Sequence, residues 1–475
     1  MTEDSTPSTD ERTDTNERTA AEKRAERAAV SEGSTTRRNV LKAGAVGAAT
    51  AALAGCSALL GGGDEAEGST DVGTDTLEAG LLSFTQGAAS VLGIQAVRGA
   101  EKAVERINDA GGIAGQRELS LDVVDEGESP VDDYQQFIDD GKDVTFGPIS
   151  SGTHASMAPE VETNQVINVA TDGTVTTLYE ETNPDPTYSF RFQNYDVMEA
   201  TAAALEVVER VGADNIDTYA GVNPDYAFGR DEMEIFSLAI EGMTGAEQVY
   251  SGFPALGESD FSTHISRIND EQPDVVFSSC WGGDASNFLS QAFQRNMFDN
   301  ITTTVGPVYY GSADAIDEEV VTGTERGEIL SGSRNFYWGI PRNDRSEAST
   351  QFFNEARDQE DIKVPTAHYM SGYGAVTAWA TAVEKAIRII DGYPSQEQIA
   401  LALEEHGFYT PGGYHNMSMD HQGRSNGYAG VMEWDSDLDA PILTDVNVFS
   451  GTQISPPPMG SAYEVTAVDW LNSWE

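Results

Sequence analysis

From residue 76 onward, short apolar runs alternate with stretches whose apolar residues recur every three or four positions. A strand covered on both faces reads as a near-continuous apolar run, whereas a helix lying on a sheet keeps one apolar stripe. On this basis residues 76–83, 119–124, 143–146 and 166–170 are predicted strands, and 93–110, 131–140 and 154–162 predicted helices. The stripe of 93–110 is Ile94, Val97, Ala100, Val104 and Ile107, and Gly111-Gly112 stops it. The rhythm continues with strand 216–220, helix 230–241, strand 274–279, helix 284–296, strand 302–305 and a long helix 371–390. Repeated strand–helix units predict an α/β fold of doubly wound parallel sheets with helices on both faces. In open sheets of this kind ligands bind beyond the carboxyl ends of the strands, so the loops that follow each strand are the candidates for function.

Upstream the pattern changes. Residues 1–35 are polar, charged and without aromatics, and are expected to be a disordered n-region. Arg37 and Arg38 then precede an Ala/Gly-rich apolar run, 43–55, which ends in Leu53-Ala54-Gly55-Cys56. That run is 13 residues long, short of the roughly 20 that span a bilayer. Paired arginines ahead of a short apolar segment read as a twin-arginine export signal over 36–55. Leu-Ala-Gly-Cys resembles the lipobox of lipoproteins, in which cleavage precedes the cysteine and its thiol carries lipid. Cys56 is therefore the expected lipid attachment point, and 56–75, with Gly61-Gly62-Gly63, a flexible tether. The alternative is a buried helix with a chance cysteine.

Composition adds a compartment and excludes a partner. The 475 residues include 79 acidic and 27 basic side chains, for a net charge of −52. The first 55 residues are nearly balanced in charge, so the acidity belongs to the rest, where Asp and Glu occur throughout. With 39% hydrophobic residues the chain folds rather than stays disordered, and its surface is carboxylate-coated. Such a surface repels itself in dilute buffer and tolerates concentrated salt; the composition is similar to that of proteins from extreme halophiles. No basic patch exists to neutralise phosphates, so nucleic acid is not an expected partner. With Cys56 lipidated, Cys280 has no cysteine left to pair with. Sequons at Asn300 and Asn416 offer glycan sites on an exported chain.

The strand-end loops carry the specific signal. Gly80-Leu81-Leu82-Ser83 is followed by Arg98-Gly99-Ala100 and by Arg106-Ile107-Asn108-Asp109-Ala110-Gly111-Gly112-Ile113-Ala114-Gly115. Then come Phe146-Gly147-Pro148-Ile149-Ser150-Ser151-Gly152-Thr153 and Pro224-Asp225-Tyr226-Ala227-Phe228-Gly229. In this order and spacing, over nearly all of 76–475, the chain resembles the branched-chain amino-acid binding proteins of ABC importers, which have the type I periplasmic-binding fold. The loops read alone agree. Unpaired N–H groups at a helix start, with the hydroxyls of Ser150, Ser151 and Thr153, make an anion site fit for a carboxylate. Plain N-capping by one hydroxyl is the alternative.

The resemblance implies roles for further residues. Ser151 is the leading carboxylate contact, and Ala170 matches a position that offers its carbonyl. Asp172 stands where the family usually has Thr, with Thr171 beside it; Asp172 either binds an ammonium or caps a turn. Tyr226 and Trp281 match aromatic ligand walls, and Tyr309, near a strand end, joins the ligand-binding set. Members that grip an α-ammonium often carry an acid just after a Gly-Pro of the second lobe. Here Gly306-Pro307 is followed by Val308, Tyr309 and Tyr310. Either Asp172 takes over that charge, or the ligand is not a simple α-amino acid.

The implied architecture is two lobes joined by a hinge of three chain crossings, lobe I being 76–194 plus 332–420 and lobe II 195–331 plus 421–475. A small polar solute, a branched-chain or related amino acid leading, is captured between them and delivered to a membrane permease driven by a separate ATPase. An enzyme is disfavoured, since no Gly-x-Ser-x-Gly, Walker, Gly-x-Gly-x-x-Gly or His-Glu-x-x-His motif occurs. A hydrolase built on Ser151 and His154 lacks a third group. No cofactor or metal is expected; His415 and His421, near Asp420, read as surface residues rather than metal ligands. An extracellular sensor domain on the same fold is the other alternative.

Overall fold

The structure, a computed structural model, describes residues 72–339, 347–359, 362–457 and 465–474. The readings for Arg37, Arg38 and Cys56, and for the segments up to residue 71, lie outside the described residues.

The first sheet is wholly parallel. Its strands are β1 (Leu77–Ser83), β2 (Leu119–Asp125), β3 (Val144–Phe146), β4 (Asn168–Ala170) and β5 (Ser189–Arg191), in the order β2-β1-β3-β4-β5. Crossovers run through α1 (Ser90–Asp109), α2 (Pro130–Asp139) and α3 (Ser151–Asn164). The apolar run of β1 is explained by its burial on both faces: Leu77, Ala79, Leu81 and Leu82 are all buried.

The second sheet begins after α4 (Asp196–Val211). It takes in β6 (Thr218–Val222), β7 (Glu247–Gly252), β8 (Val275–Phe277), β9 (Thr303–Gly306) and β10 (Ile329–Gly332), with α5 (Ala227–Thr244), α6 (Ser262–Glu271), α7 (Gly283–Gln294) and α8 (Glu318–Thr322) between them. After β10 the chain returns to the first sheet through α9 (Glu347–Arg357), α10 (Ala367–Ile390) and α11 (Gln396–Leu403). A small antiparallel sheet follows, β11 (His406–Thr410), β12 (Gly413–Met417) and β13 (Gly423–Arg424). The chain then rejoins the second sheet as β14 (Gly427–Asp435) and β15 (Ala440–Phe449), giving the order β15-β14-β10-β9-β8-β6-β7.

Two expectations are corrected here. The second sheet is mixed, not purely parallel: β14 enters antiparallel to β10 on its return from the first half, and a short turn joins it directly to β15, which leaves no room for a crossover helix and makes that pair antiparallel too. His415 and His421 are buried, not on the surface. His415 Nε2 lies 2.8 Å from the Thr410 hydroxyl, and burial lowers its pKa to about 4. His421 stacks on Phe190 with ring centroids 3.9 Å apart.

Each sheet has its own core. Residues from β1–β5, α1, α10 and α11 pack together, with Trp379 and Phe146 meeting edge to face. The α1–α10 contact is close because it is made by small residues. A Cβ on Gly99 would strike the Tyr369 carbonyl, and one on Gly372 would strike the Ala96 carbonyl. The second sheet is covered on one face by α4 and α5 and on the other by α6 and α7. The chain passes between the two halves three times, after β5, after β10 and between β13 and β14.

Candidate functional site

The cleft forms where strand ends of the two sheets face each other. From the first half come Leu92 of α1, Ile149 and Ser151 after β3, Asp172 and Thr174 after β4, and His368 at the start of α10. From the second come Tyr226 and Phe228 after β6, Trp281 after β8 and Arg334 after β10. Together they enclose about 270 Å³ of space continuous with solvent. Beside the cleft the halves touch, Gly283 N donating to Ala88 O at 3.2 Å. An apolar seam of Leu92, Phe228, Trp281 and Val308, flanked by Phe84, closes that side.

The anion end is built by the start of α3. Ser150 is the N-cap, its hydroxyl accepting from Thr153 N at 3.4 Å. Beneath it the buried Glu126 carboxyl accepts from Ile149 N at 2.7 Å and Ser150 N at 2.9 Å, and the Thr153 hydroxyl also turns to Glu126. Burial outweighs these bonds and pushes the Glu126 pKa up to about 7. Of the three hydroxyls expected at this loop, Ser151 alone lines the cleft. Its Oγ and its backbone N–H have no hydrogen-bond partner among the described residues.

Asp172 already has a cation beside it. One carboxylate oxygen accepts from Arg334 Nη1, and the other lies 3.2 Å from Ser371 Oγ, whose shorter bond, at 2.8 Å, is to the His368 carbonyl. His368 Nε2 is 3.6 Å from the same carboxylate. Burial, with Arg334 alongside, holds the His368 imidazole well below its ordinary pKa and therefore neutral. Arg334 also reaches Glu199 of α4, Nε to Oε1 at 3.1 Å. Burial lowers the Arg334 pKa to about 9, which leaves it charged at neutral pH. Its backbone φ of 43° is left-handed, an unfavourable conformation for a non-glycine residue. Ser333 N donating to Tyr428 O at 2.7 Å, and Tyr428 N to Arg334 O at 3.1 Å, hold it there.

The opposite wall is aromatic. Trp281 Nε1 donates to the Tyr226 hydroxyl at 3.0 Å, so Tyr226 keeps its own proton to donate. Burial raises the Tyr226 pKa, so the hydroxyl stays neutral. Tyr226 and Phe228 lie with centroids 6.0 Å apart, and Phe84 and Trp281 6.2 Å.

The structure thus brings Ser151, Asp172, Tyr226 and Trp281 together and places the other sequence-chosen residues elsewhere. The Ala170 carbonyl accepts from Phe192 N at 2.9 Å in backbone pairing. The Thr171 hydroxyl donates to the Pro148 carbonyl at 3.3 Å. Tyr309 is corrected: it is buried in the core of the second half, its hydroxyl 3.2 Å from Thr304 Oγ1. His154 turns away from Ser151, with Nδ1 3.1 Å from Gly173 O and Nε2 3.2 Å from Ser189 Oγ. Arg334, His368, Thr174 and Glu126 escaped sequence reasoning. Arg334 follows β10, a strand not assigned from the sequence, so its place at a strand end was hidden. Among the described residues no group of acids, histidines and cysteines could hold a metal, and no helix is long and apolar enough to cross a membrane.

Comparison with known proteins agrees with this geometry. A periplasmic binding protein family model matches residues 76–439. Leu/Ile/Val-binding protein homolog 1 of Brucella abortus is 24% identical over 367 residues, covering 74% of this chain and 89% of its own length. The leucine-, isoleucine-, valine-, threonine- and alanine-binding protein of Pseudomonas aeruginosa is 23% identical, covering 78% and 92%. A solute binding protein of an ABC transporter from Rhodopseudomonas palustris, crystallised with 3,4-dihydroxybenzoic acid, superposes with a TM-score of 0.66 at 17% identity, over 79% of this chain and 98% of that one. A leucine binding protein from Thermotoga maritima gives 0.62 at 16% identity, over 78% and 98%. These structures share the type I periplasmic-binding fold with this chain, two α/β lobes flanking a cleft. The chain belongs to the periplasmic binding protein family.

Proposed function

We propose that the protein is the solute-binding component of an ABC importer. It captures a small molecule with a carboxylate and an apolar body, and hands it to a membrane permease powered by a separate ATPase. Branched-chain and related amino acids, the solutes in the names of its relatives, carry both features. The observation that carries the reading is the two-sided cleft itself. A hydroxyl and unpaired N–H group at the start of α3 face a wall of Tyr226, Phe228 and Trp281 from the other half. A helix N-terminus attracts a carboxylate, and aromatic faces give the body apolar area. The lobes, about 76–194 with 332–420 and 195–331 with 421–475, swing on their three crossings, and solute bound at Ser151 is covered as Tyr226 and Trp281 close over it. Neither nucleic acid nor a catalytic step enters this reading. Export by the Arg37-Arg38 signal and lipid attachment at Cys56 place the protein on the outer face of the cell membrane, where such capture is useful.

Calorimetric titration in concentrated KCl tests the cleft. Small aliphatic and aromatic carboxylates should bind saturably at one site per chain, and Trp281→Ala should weaken binding at least tenfold. Binding unaffected by Trp281→Ala would remove the site from this cleft.

A further inference from the structure

The charges in the cleft narrow the solute class. We propose that Arg334, by occupying Asp172, makes the cleft selective for carboxylates that carry no ammonium group over amino acids of the same carbon skeleton. This rests on the reading that the cleft is a solute site. Among the described residues lining the cleft, Asp172 is the one acid. Its charge is already paired with the Arg334 guanidinium, and Ser371 Oγ lies 3.2 Å from its other oxygen. Glu199 lies on the other side of Arg334, lining a second, smaller pocket with Met198, Pro307 and Tyr428 and not the cleft. A ligand ammonium entering here leaves water without gaining an anion, an unfavourable exchange in a buried site.

A carboxylate meets the opposite situation. Ser151 supplies a hydroxyl and an unpaired N–H group at a helix start, and Arg334 Nη2 has no hydrogen-bond partner among the described residues. The remaining lining suits an uncharged body: Leu92, Phe228 and Trp281 cluster, and His368 is neutral. The strained backbone of Arg334, pinned by Tyr428 N on its own carbonyl and by the bond from Ser333 N to Tyr428 O, fixes the guanidinium where it satisfies Asp172. Arg334 is thus a specificity residue as well as an anion partner.

The test is a matched set titrated by calorimetry against the mature protein in concentrated KCl: 4-methylpentanoate, 4-methyl-2-oxopentanoate and L-leucine. At least one of the two acids should bind tenfold or more tightly than leucine. Arg334→Gln exposes the Asp172 carboxylate and should shift the ratio toward leucine by at least tenfold, whereas Arg334→Lys keeps the acid preference. Leucine binding as tightly as both acids overturns the proposal and leaves the cleft a solute site. An unchanged ratio in folded Arg334→Gln overturns it too. Should that variant fail to fold by circular dichroism, the wild-type ratio alone decides. Absence of binding by all three overturns both the proposal and the functional reading beneath it.

Discussion

Glu126 shows how a residue outside the cleft sets its geometry. Its carboxyl holds the two backbone N–H groups that precede Ser151, so the start of α3 presents Ser151 and not its neighbours to the solute. Because burial raises its folded pKa to about 7 from the ordinary 4.5, the folded state holds this proton more tightly than the unfolded one. Its stabilising contribution is therefore complete below pH 4.5 and lost as pH rises through 7. Unfolding of wild type and Glu126→Gln should show a stability difference that moves against wild type by roughly 3 kcal/mol across that window; parallel pH profiles would contradict it. Ser151→Ala removes a hydroxyl directed at a charged group and should weaken carboxylate binding by about 1.5–3 kcal/mol without changing the melting temperature. The sequence-chosen residues that line the cleft, Ser151, Asp172, Tyr226 and Trp281, all follow assigned strands. Arg334 and His368 were not found, because their place depends on a strand and a helix start that the pattern did not reveal. That Asp172 is already paired was equally hidden, since its partner lies 162 positions away.

At the scale of elements, the pattern succeeded for the two long helices that pack on each other in the first half. The helix predicted at 93–110 is Ser90–Asp109, and that at 371–390 is Ala367–Ile390. It missed α4, where the acids Asp196 and Glu199 are buried among the apolar residues and so read as polar interruptions of the core stripe. It also missed the β14–β15 hairpin, because a mixed sheet breaks the strand–helix alternation that guided the assignment. The α1–α10 crossing carries a prediction of its own. The two backbones approach at Gly99 and Gly372, where an added methyl meets a carbonyl rather than a side chain able to rotate away. Gly99→Ala should cost about 1–3 kcal/mol by forcing the helices apart, despite alanine's better helix propensity. Thermal unfolding decides between the two signs: a raised midpoint would mean that the helices accommodate the methyl group.

For the whole molecule the dominant fact is charge. With 79 acidic and 27 basic residues, acids outnumber cations about threefold, and several cations are shared. Lys142 meets both Glu78 and Asp122, Arg326 both Glu433 and Asp445, and Lys102 both Glu105 and Glu355. Sharing one cation between two acids offsets part of the repulsion locally, and the rest acts over the full surface. Folding brings those carboxylates closer than they are in the extended chain, so repulsion opposes the compact state. Salt decides how far that repulsion reaches, with a screening length of about 10 Å at 0.1 M and about 3 Å at 1 M. We expect the helical circular dichroism signal and the thermal midpoint to fall together as KCl is diluted from several molar, with unfolding before physiological ionic strength. Sucrose at matched osmolality favours burial without screening, and should therefore fail to rescue the fold, whereas restored KCl should succeed. A chain that keeps its full signal in low salt, or that sucrose stabilises as well as KCl does, is held by its cores alone, and its acidity then serves solubility rather than a requirement for brine.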